Sequence, residues 1–172
     1  MNKYNIKFNE IINLENLKTK FGIININADS DDLVTICKRL DLYKLEVCFI
    51  ELQYEKVNSN DLIANYKFIA EGEQKCVITL KPVIFNIEKT FIITFNDYST
   101  IELSTLESEF IEPVYSSKVN FSEIAIQMFS SFLDPYPKIN NGKVDLEQFY
   151  KNKLQADKKK NNPFEVLNNL NK

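Results

Sequence analysis

Cysteine chemistry is the first possibility that the sequence raises. The segment KCVITLKPV (75–83) holds Cys76 in a short apolar run, but Thr79 stands where a Cys-x-x-Cys pair would need its second thiol. The other cysteines are Cys37 and Cys48. The chain therefore lacks the four thiolates of an all-cysteine zinc site and the even number expected of a disulfide framework. We expect Cys76 to be a packed residue at the start of a strand.

Several classes of enzyme are excluded by residues that the chain lacks. There is no histidine, which removes serine–histidine triads, cysteine–histidine pairs and zinc sites that use imidazole. Only three glycines are present, so neither glycine-rich phosphate-binding motif can be built. Carboxylate chemistry stays open, for example a metal-dependent nuclease that combines Asp29, Asp31 and Asp32 with a distant acid. Consecutive acids before an apolar run are more typical of a helix start, where they accept hydrogen bonds from exposed N–H groups.

The composition indicates a cytoplasmic, reduced protein with a folded core. The chain has 172 residues, 44% of them hydrophobic, and a net charge of −3. No apolar run approaches the roughly 20 residues that span a bilayer, and the N-terminus does not resemble a signal peptide. Arg39 is the one arginine against 20 lysines, beside 21 asparagines. Lysine, asparagine and isoleucine share A/T-rich codons, so the lysine excess by itself does not indicate RNA binding.

Apolar periodicity predicts two main helices and a meander of strands. The helix over 31–41 is capped by Asp29 or Ser30, and the helix over 121–133 begins with Asn120 and Glu123 at capping-box spacing. Strands are predicted at 4–8, 20–27, 45–57, 61–70, 76–80 and 82–95, with a bulge or bend near 88–90. The expected fold class is α+β: an antiparallel, strongly curved sheet or partial barrel flanked by the two helices.

The chain is expected to contain one domain, residues 1–139, and a flexible lysine-rich tail, residues 140–172. Charge reverses near this boundary, from −5 over residues 99–137 to +4 over residues 138–172. The tail closes with NPFEVLNNLNK, where apolar spacing returns and predicts a short amphipathic helix. This helix either folds back on the domain or serves as a docking motif.

Three segments together resemble a known family. They are KCVITLKPV after the hairpin, FLDPYPK after the second helix, and NPFEVLNNLNK at the C-terminus. Their order and spacing resemble the bacterial YceD family, in its alphaproteobacterial-type branch, which is named for accumulation of the large-subunit ribosomal RNA. Many members carry Cys-x-x-Cys where this chain has Cys76 and Thr79. A metal or redox role for that pair is therefore not carried over.

The resemblance implies a non-enzymatic factor for the synthesis, processing or stability of 23S ribosomal RNA, acting in ribosome biogenesis. It implies a pre-ribosomal particle or an rRNA-processing protein as partner, and no cofactor, membrane or small-molecule substrate. Lysines of the tail would add weak, salt-dependent phosphate contacts. The candidate contact residues are Lys75, Lys81, Asp134, Pro135, Tyr136, Pro137, Lys138, Lys158, Lys159, Lys160, Asn162, Pro163 and Phe164.

Two questions stay open at this point. The first is the role of DPYPK (134–138), which is either a rigid helix stop whose Tyr136 packs on the sheet or an exposed, pre-ordered recognition loop. The second is the class of protein. An adaptor that docks on another protein through NPFEVLNNL, without contacting RNA, is the alternative to an rRNA factor.

Overall fold

The computed structural model describes residues 2–100 and 110–139. Internal contacts divide the chain into two units, residues 1–137 and 138–172, and the fold below is that of the first. Its elements in chain order are β1 (Asn2–Ile6), β2 (Ile12–Asn13), β3 (Phe21–Asn27), α1 (Ser30–Arg39), β4 (Lys44–Lys56), β5 (Leu62–Lys75), β6 (Pro82–Asp97), β7 (Ile111–Val114), β8 (Lys118–Val119) and α2 (Phe121–Phe132). Short 3-10 turns lie at Leu14–Asn16 and Tyr98–Thr100. Within the described ranges no helix is long and apolar enough to cross a bilayer.

Six strands form one open, mixed sheet in the order β1-β3-β4-β5-β6-β7, and β2 pairs with β8 separately. The α+β class and the two helices are confirmed. The prediction of an antiparallel sheet is wrong at both edges, because β1 runs parallel to β3 and β7 runs parallel to β6. The sheet is also not closed into a barrel. Parallel neighbours need long connections, and residues 7–20 and 98–110 supply them.

Two local predictions about the strands are wrong. CVITL (76–80) was expected as a strand but forms the turn that joins β5 to β6. A bulge or bend is expected near residues 88–90, but β5 and β6 pair in unbroken register through that region, so there is no bulge. The register shift lies in β4 instead, between Leu45 and Val47. A short apolar run alone does not distinguish a strand from a turn.

The sheet buries one face, against which α2 packs. Along β5, every second residue from Leu62 to Ala70 is fully buried, as the strand period of two requires. The ring of Phe129 in α2 lies 5.0 Å from the ring of Phe68. Burying each aromatic side chain contributes about 2–3 kcal/mol. This aromatic layer holds the C-terminal end of α2, and the chain that follows it, close to the sheet.

Each helix starts at a side-chain cap, and one ion pair joins the two helices. Asp29 and Asp32 form a reciprocal capping box at α1, and Asn120 Oδ1 accepts a hydrogen bond from Glu123 N (3.0 Å) at α2. The Glu123 carboxylate does not complete a second box, because it accepts two hydrogen bonds from Arg39 at 2.7 and 2.6 Å. The one arginine of the chain is therefore committed to an interhelical contact.

Candidate docking surface at the β5–β6 turn

The turn between β5 and β6 is closed by its own backbone. Cys76 N donates to Lys81 O and Leu80 N donates to Cys76 O, both at 2.9 Å. Cys76 is 1% exposed, so it is packed as expected, although in a turn rather than at the start of a strand. Thr79 lies at the tip, and its hydroxyl accepts from Lys81 N at 3.5 Å. These hydrogen bonds fix the backbone conformation of the turn.

Leu80 has an unusual backbone conformation in this turn. Its φ is 58°, in the left-handed region that β-carbon sterics disfavour for most residues. The conformation directs its backbone N–H to Cys76 O and leaves the leucine side chain 71% exposed. An exposed leucine in this conformation gains nothing from burial to offset the strain.

The segment after α2 is shaped by prolines and by one aspartate. The helix ends at Phe132, and Asp134 Oδ1 accepts a hydrogen bond from Tyr136 N at 2.8 Å. This bond is a side-chain-capped turn of the kind that aspartate forms with the backbone two residues ahead. Pro135 and Pro137 restrict the backbone on either side of Tyr136. Tyr136 itself is 70% exposed, so the geometry favours the exposed, pre-ordered loop over a tyrosine packed on the sheet.

Hydrogen bonds join the turn to the segment after α2. Val77 N donates to Pro137 O at 3.0 Å. Gln74 Nε2, at the end of β5, donates to Asp134 O at 2.8 Å. Pro137 is buried, so it supports the contact rather than presenting its side chain. Two sequence motifs that are more than fifty residues apart thus form one continuous structure, and we call residues 76–81 and 134–137 the motif surface.

The side chains that the motif surface presents to solvent are mostly apolar. Val77, Ile78 and Leu80 are 48%, 43% and 71% exposed, and Tyr136 is 70% exposed. A cleft of about 320 Å³ lies alongside, between the end of α1, the end of β5 and the proline segment. Its apolar lining comes from Leu40, Leu42, Val77, Leu133, Pro135 and Pro137. Exposed apolar groups that cluster in this way are typical of interaction surfaces.

Charge at the motif surface is nearly balanced. Lys75 Nζ forms an ion pair with Asp41, at the end of α1, so one candidate cation already has an acidic partner. Lys81 is exposed, and Asp134 is exposed on the other half of the surface. Lys138 is also exposed but belongs to the second unit. The balance contrasts with the excess of positive charge that marks nucleic-acid interfaces.

The structure brings six of the predicted contact residues together, and six others lie outside the residues that it describes. Those in or beside the motif surface are Lys75, Lys81, Asp134, Pro135, Tyr136 and Pro137. Those that lie outside the described residues are Lys158, Lys159, Lys160, Asn162, Pro163 and Phe164, so the contacts predicted for the tail stay a prediction. The remaining predicted contact residue, Lys138, is described and exposed.

Sequence reasoning missed Gln74, Val77, Ile78 and Leu80. The sequence predicts a strand at 76–80 because a short apolar run rich in valine, isoleucine and threonine is a usual signal for one. The proline at position 82, at the start of β6, was the available sign that this run ends at a turn. Gln74 gave no sequence signal, since its partner, Asp134 O, lies sixty residues away.

The residues considered for enzymatic or metal chemistry have other contacts. Asp29 accepts from the backbone N–H groups of Asp31 and Asp32, and these hydrogen bonds lower its pKa. Burial raises the pKa of Cys48 to about 12, far from the range of a reactive thiolate. Across residues 2–100 and 110–139, no three cysteine or carboxylate side chains are grouped closely enough to hold a metal ion.

Comparison with known proteins does not assign the chain to a family. No family model, no curated protein and no solved structure matches it. A functional proposal therefore depends on the residues of the chain and on the geometry of the motif surface.

Proposed function

We propose that this chain is a non-enzymatic factor for accumulation of 23S ribosomal RNA in ribosome biogenesis, and that it acts by docking on a pre-ribosomal particle or on an rRNA-processing protein. The proposal starts from the resemblance of three sequence segments to the YceD family. Two of these segments, KCVITLKPV and FLDPYPK, contain the motif surface. The docking role is assigned to that surface.

The contact between the two motif segments is the observation that carries the proposal. Val77 N and Pro137 O, and Gln74 Nε2 and Asp134 O, join parts of the chain that no local rule would bring together. The backbone of both segments is ordered by hydrogen bonds, while the side chains of Leu80 and Tyr136 extend into solvent. A purely structural junction would bury its large apolar side chains, because burial is the main source of stability. An ordered backbone under exposed apolar side chains supports recognition instead.

Depletion of the protein tests the proposed function directly. Cells that lose the chain should show a fall in the ratio of 23S to 16S rRNA. Crosslinking of the tagged protein, with RNA and protein recovered together, should yield 23S precursor or a protein bound to it. A fallen ratio with a protein partner and no RNA would favour the adaptor that docks through NPFEVLNNL (162–170). An unchanged ratio after depletion would contradict the proposed function.

Replacement of Tyr136 tests the role of the motif surface. Tyr136→Ala should lower the 23S to 16S ratio towards that of depleted cells, because the exposed ring is removed. The stability of the domain should change by less than about 0.5 kcal/mol, as for most surface substitutions. Tyr98→Ala is the matched control, since Tyr98 is 61% exposed and stacks on Tyr115 after the far end of β6. Normal 23S levels in cells with wild-type amounts of the Tyr136→Ala protein would count against the surface.

A further inference from the structure

Leu80 lies in a backbone conformation that its side chain disfavours. Four other non-glycine residues in the described part of the chain also have positive φ: Asn9, Asp41, Ser116 and Ser117. Asparagine and aspartate are the types that tolerate this conformation best, and short polar side chains bond locally there. Leu80 is the one apolar residue of the five. Leucine is therefore not explained by the needs of the turn.

Polar contacts of the side chain account for the positive φ of Asp41 and Ser117, but not for that of Leu80. Asp41 forms the ion pair with Lys75, and Ser117 Oγ donates to Asn60 Oδ1 at 2.7 Å. Leu80 has no polar side-chain atoms, and it is neither a member of the buried core nor among the residues packed against it. Strain held by the surrounding structure is a recognised feature of functional positions. Glycine would suit the backbone at position 80 better than leucine does. We therefore take the leucine side chain itself to have a role outside the turn.

The surroundings of Leu80 point to the chemistry of its partner. Val77 and Ile78 are exposed on the same turn, so the tip is apolar over three side chains. Phosphate groups of RNA would require excess positive charge, but Lys75 is paired with Asp41, and the exposed Lys81 is balanced by the exposed Asp134. Asp134 adds an exposed carboxylate, which anionic lipid headgroups would repel. An apolar pocket on a protein matches both the apolar tip and the balanced charge.

We propose that the 76–81 turn is a protein-binding finger, in which Leu80, with Val77 and Ile78 beside it, inserts into an apolar pocket of a protein partner. The inference rests on the proposed function, for which it names the class of partner. The turn is pre-organised for this role, because Cys76 bonds to both Leu80 and Lys81 and Val77 bonds to Pro137. Little conformational entropy is then lost on docking.

A substitution that relieves the strain separates recognition from stability. Leu80→Gly suits the left-handed backbone and removes the apolar side chain. Its urea midpoint should rise or stay level, whereas binding should fall at least about tenfold. Ser116→Gly is the matched control, since Ser116 is exposed with a φ of 54°. Ser116→Gly should show the same direction of change in stability with wild-type binding, so lost binding cannot be attributed to unfolding.

The binding measurement uses a photocrosslinking amino acid at Thr79, the exposed tip of the turn. The probe is a preparation of large-subunit precursor particles purified from depleted cells, with anionic phosphatidylglycerol vesicles assayed in parallel. We expect a discrete adduct that protease removes and nuclease leaves intact. Its yield should change little from about 50 to about 500 mM KCl, because apolar docking releases few counterions. In the Leu80→Gly background the yield should fall at least about tenfold.

Three results would overturn the inference: an adduct that nuclease removes, vesicle binding that depends on Leu80, or an adduct whose yield is the same in Leu80→Gly. Its failure is distinguishable from failure of the proposed function. If depletion lowers the 23S to 16S ratio, and expression of the Leu80→Gly protein in the depleted cells restores that ratio fully, the rRNA function stands and the finger is wrong. If depletion leaves the ratio unchanged while the protein adduct still depends on Leu80, the finger stands and the rRNA function is wrong.

Discussion

A turn at each end of β5 joins it to a neighbouring antiparallel strand. The side chains of the two turns differ: those of one are polar and bonded, and those of the other are apolar and exposed. In the 57–61 turn, Asn58 Oδ1 accepts from the backbone N–H groups of Asn60 and Asp61, both at 2.8 Å. Asn60 Nδ2 then donates to Asp97 Oδ2 at 2.7 Å, and Asp61 Oδ1 accepts from Asp97 N at 2.8 Å. The side chains of this turn therefore hold its own backbone and the end of β6.

The 76–81 turn makes little use of its side chains in this way. Its backbone closes on itself and on Pro137, while Val77, Ile78 and Leu80 extend into solvent. Within the turn, Lys81 N donates a long hydrogen bond to Thr79 Oγ1, at 3.5 Å. The side chains that stabilise a turn are thus found before β5, and the exposed apolar side chains are found after it. The difference is the reason that the proposed docking role is given to the 76–81 turn and not to the 57–61 turn.

The comparison depends on a rigid strand between the two turns, and Gly72→Ala should break that strand. Gly72 is buried in β5, and a Cβ built on it would lie 2.4 Å from the backbone oxygen of Lys44. Because backbone atoms must shift, we expect a loss of about 3 kcal/mol in the free energy of unfolding, measured by urea titration. Asn65→Ala, on the exposed face of the same strand, should change it by less than about 0.5 kcal/mol. A Gly72→Ala protein as stable as the wild type would show that β4 can move at its register shift.

Removal of Asn60 should weaken the polar turn without affecting the apolar one. Asn60→Ala deletes the hydrogen bond to Asp97 and the one that Asn60 Oδ1 accepts from Ser117 Oγ at 2.7 Å. At about 1 kcal/mol for each, the free energy of unfolding should fall by about 2 kcal/mol. Ser59→Ala, at the exposed neighbouring position, is the control and should be close to neutral. Loss of the Thr79 crosslink in Asn60→Ala, at a temperature where it is folded, would show that the two turns are not independent.

Leu80→Gly, in the apolar turn, should raise the free energy of unfolding, whereas Asn60→Ala should lower it. Relief of the left-handed strain is worth about 1–2 kcal/mol, and the added chain entropy of glycine in the unfolded state offsets about 0.5–1 kcal/mol of it. We expect a net gain of about 1 kcal/mol in the free energy of unfolding. Equilibrium urea titration at neutral pH measures it, and Ser116→Gly provides the comparison. A clear loss of stability would mean that the leucine side chain packs within the domain and that the contrast between the turns is wrong.

The smallest expected effect is the change with pH in the stability that Asp97 gives to the polar turn. Hydrogen bonds from the backbone and hydroxyl of Ser99 and from the amide of Asn60 lower the pKa of Asp97. A carboxyl whose pKa is lower in the folded state adds stability above its unfolded pKa, near about 3.9, and loses it as the pH falls through the folded value. The difference in stability between wild type and Asp97→Asn should therefore be greatest at neutral pH and shrink below about pH 4. A difference that stays constant down to about pH 2.5 would contradict this account.

Much of the fold could be predicted because its signals are local. The cap at Asp29 and the cap at Asn120 follow from residue types within four positions of each helix start, and both are present. The hairpin of β4 and β5 follows from apolar alternation on either side of a polar turn, and its paired residues include Cys48 with Ala70 and Tyr54 with Ala64. Patterns of this kind are read directly from neighbours in sequence.

The candidate site could be predicted only in part. The DPYP and CVITLKP segments were both singled out, but not their contact, because the bonds from Val77 to Pro137 and from Gln74 to Asp134 span about sixty residues. The assignment of 76–80 as a strand also hid the exposure of Leu80. A short apolar run is compatible with a strand until its place in the sheet is known.

The sequence by itself determined the α+β class, the two capped helices, the central hairpin and the absence of histidine chemistry, because these depend on residue type and short-range periodicity. Tertiary structure alone decided the parallel edge strands, since strand direction at an edge depends on where a long connection returns. It also decided that Arg39 pairs with Glu123 and that the two motif segments share one surface. Contacts between distant residues are set by the packing of the whole domain, which no local pattern encodes.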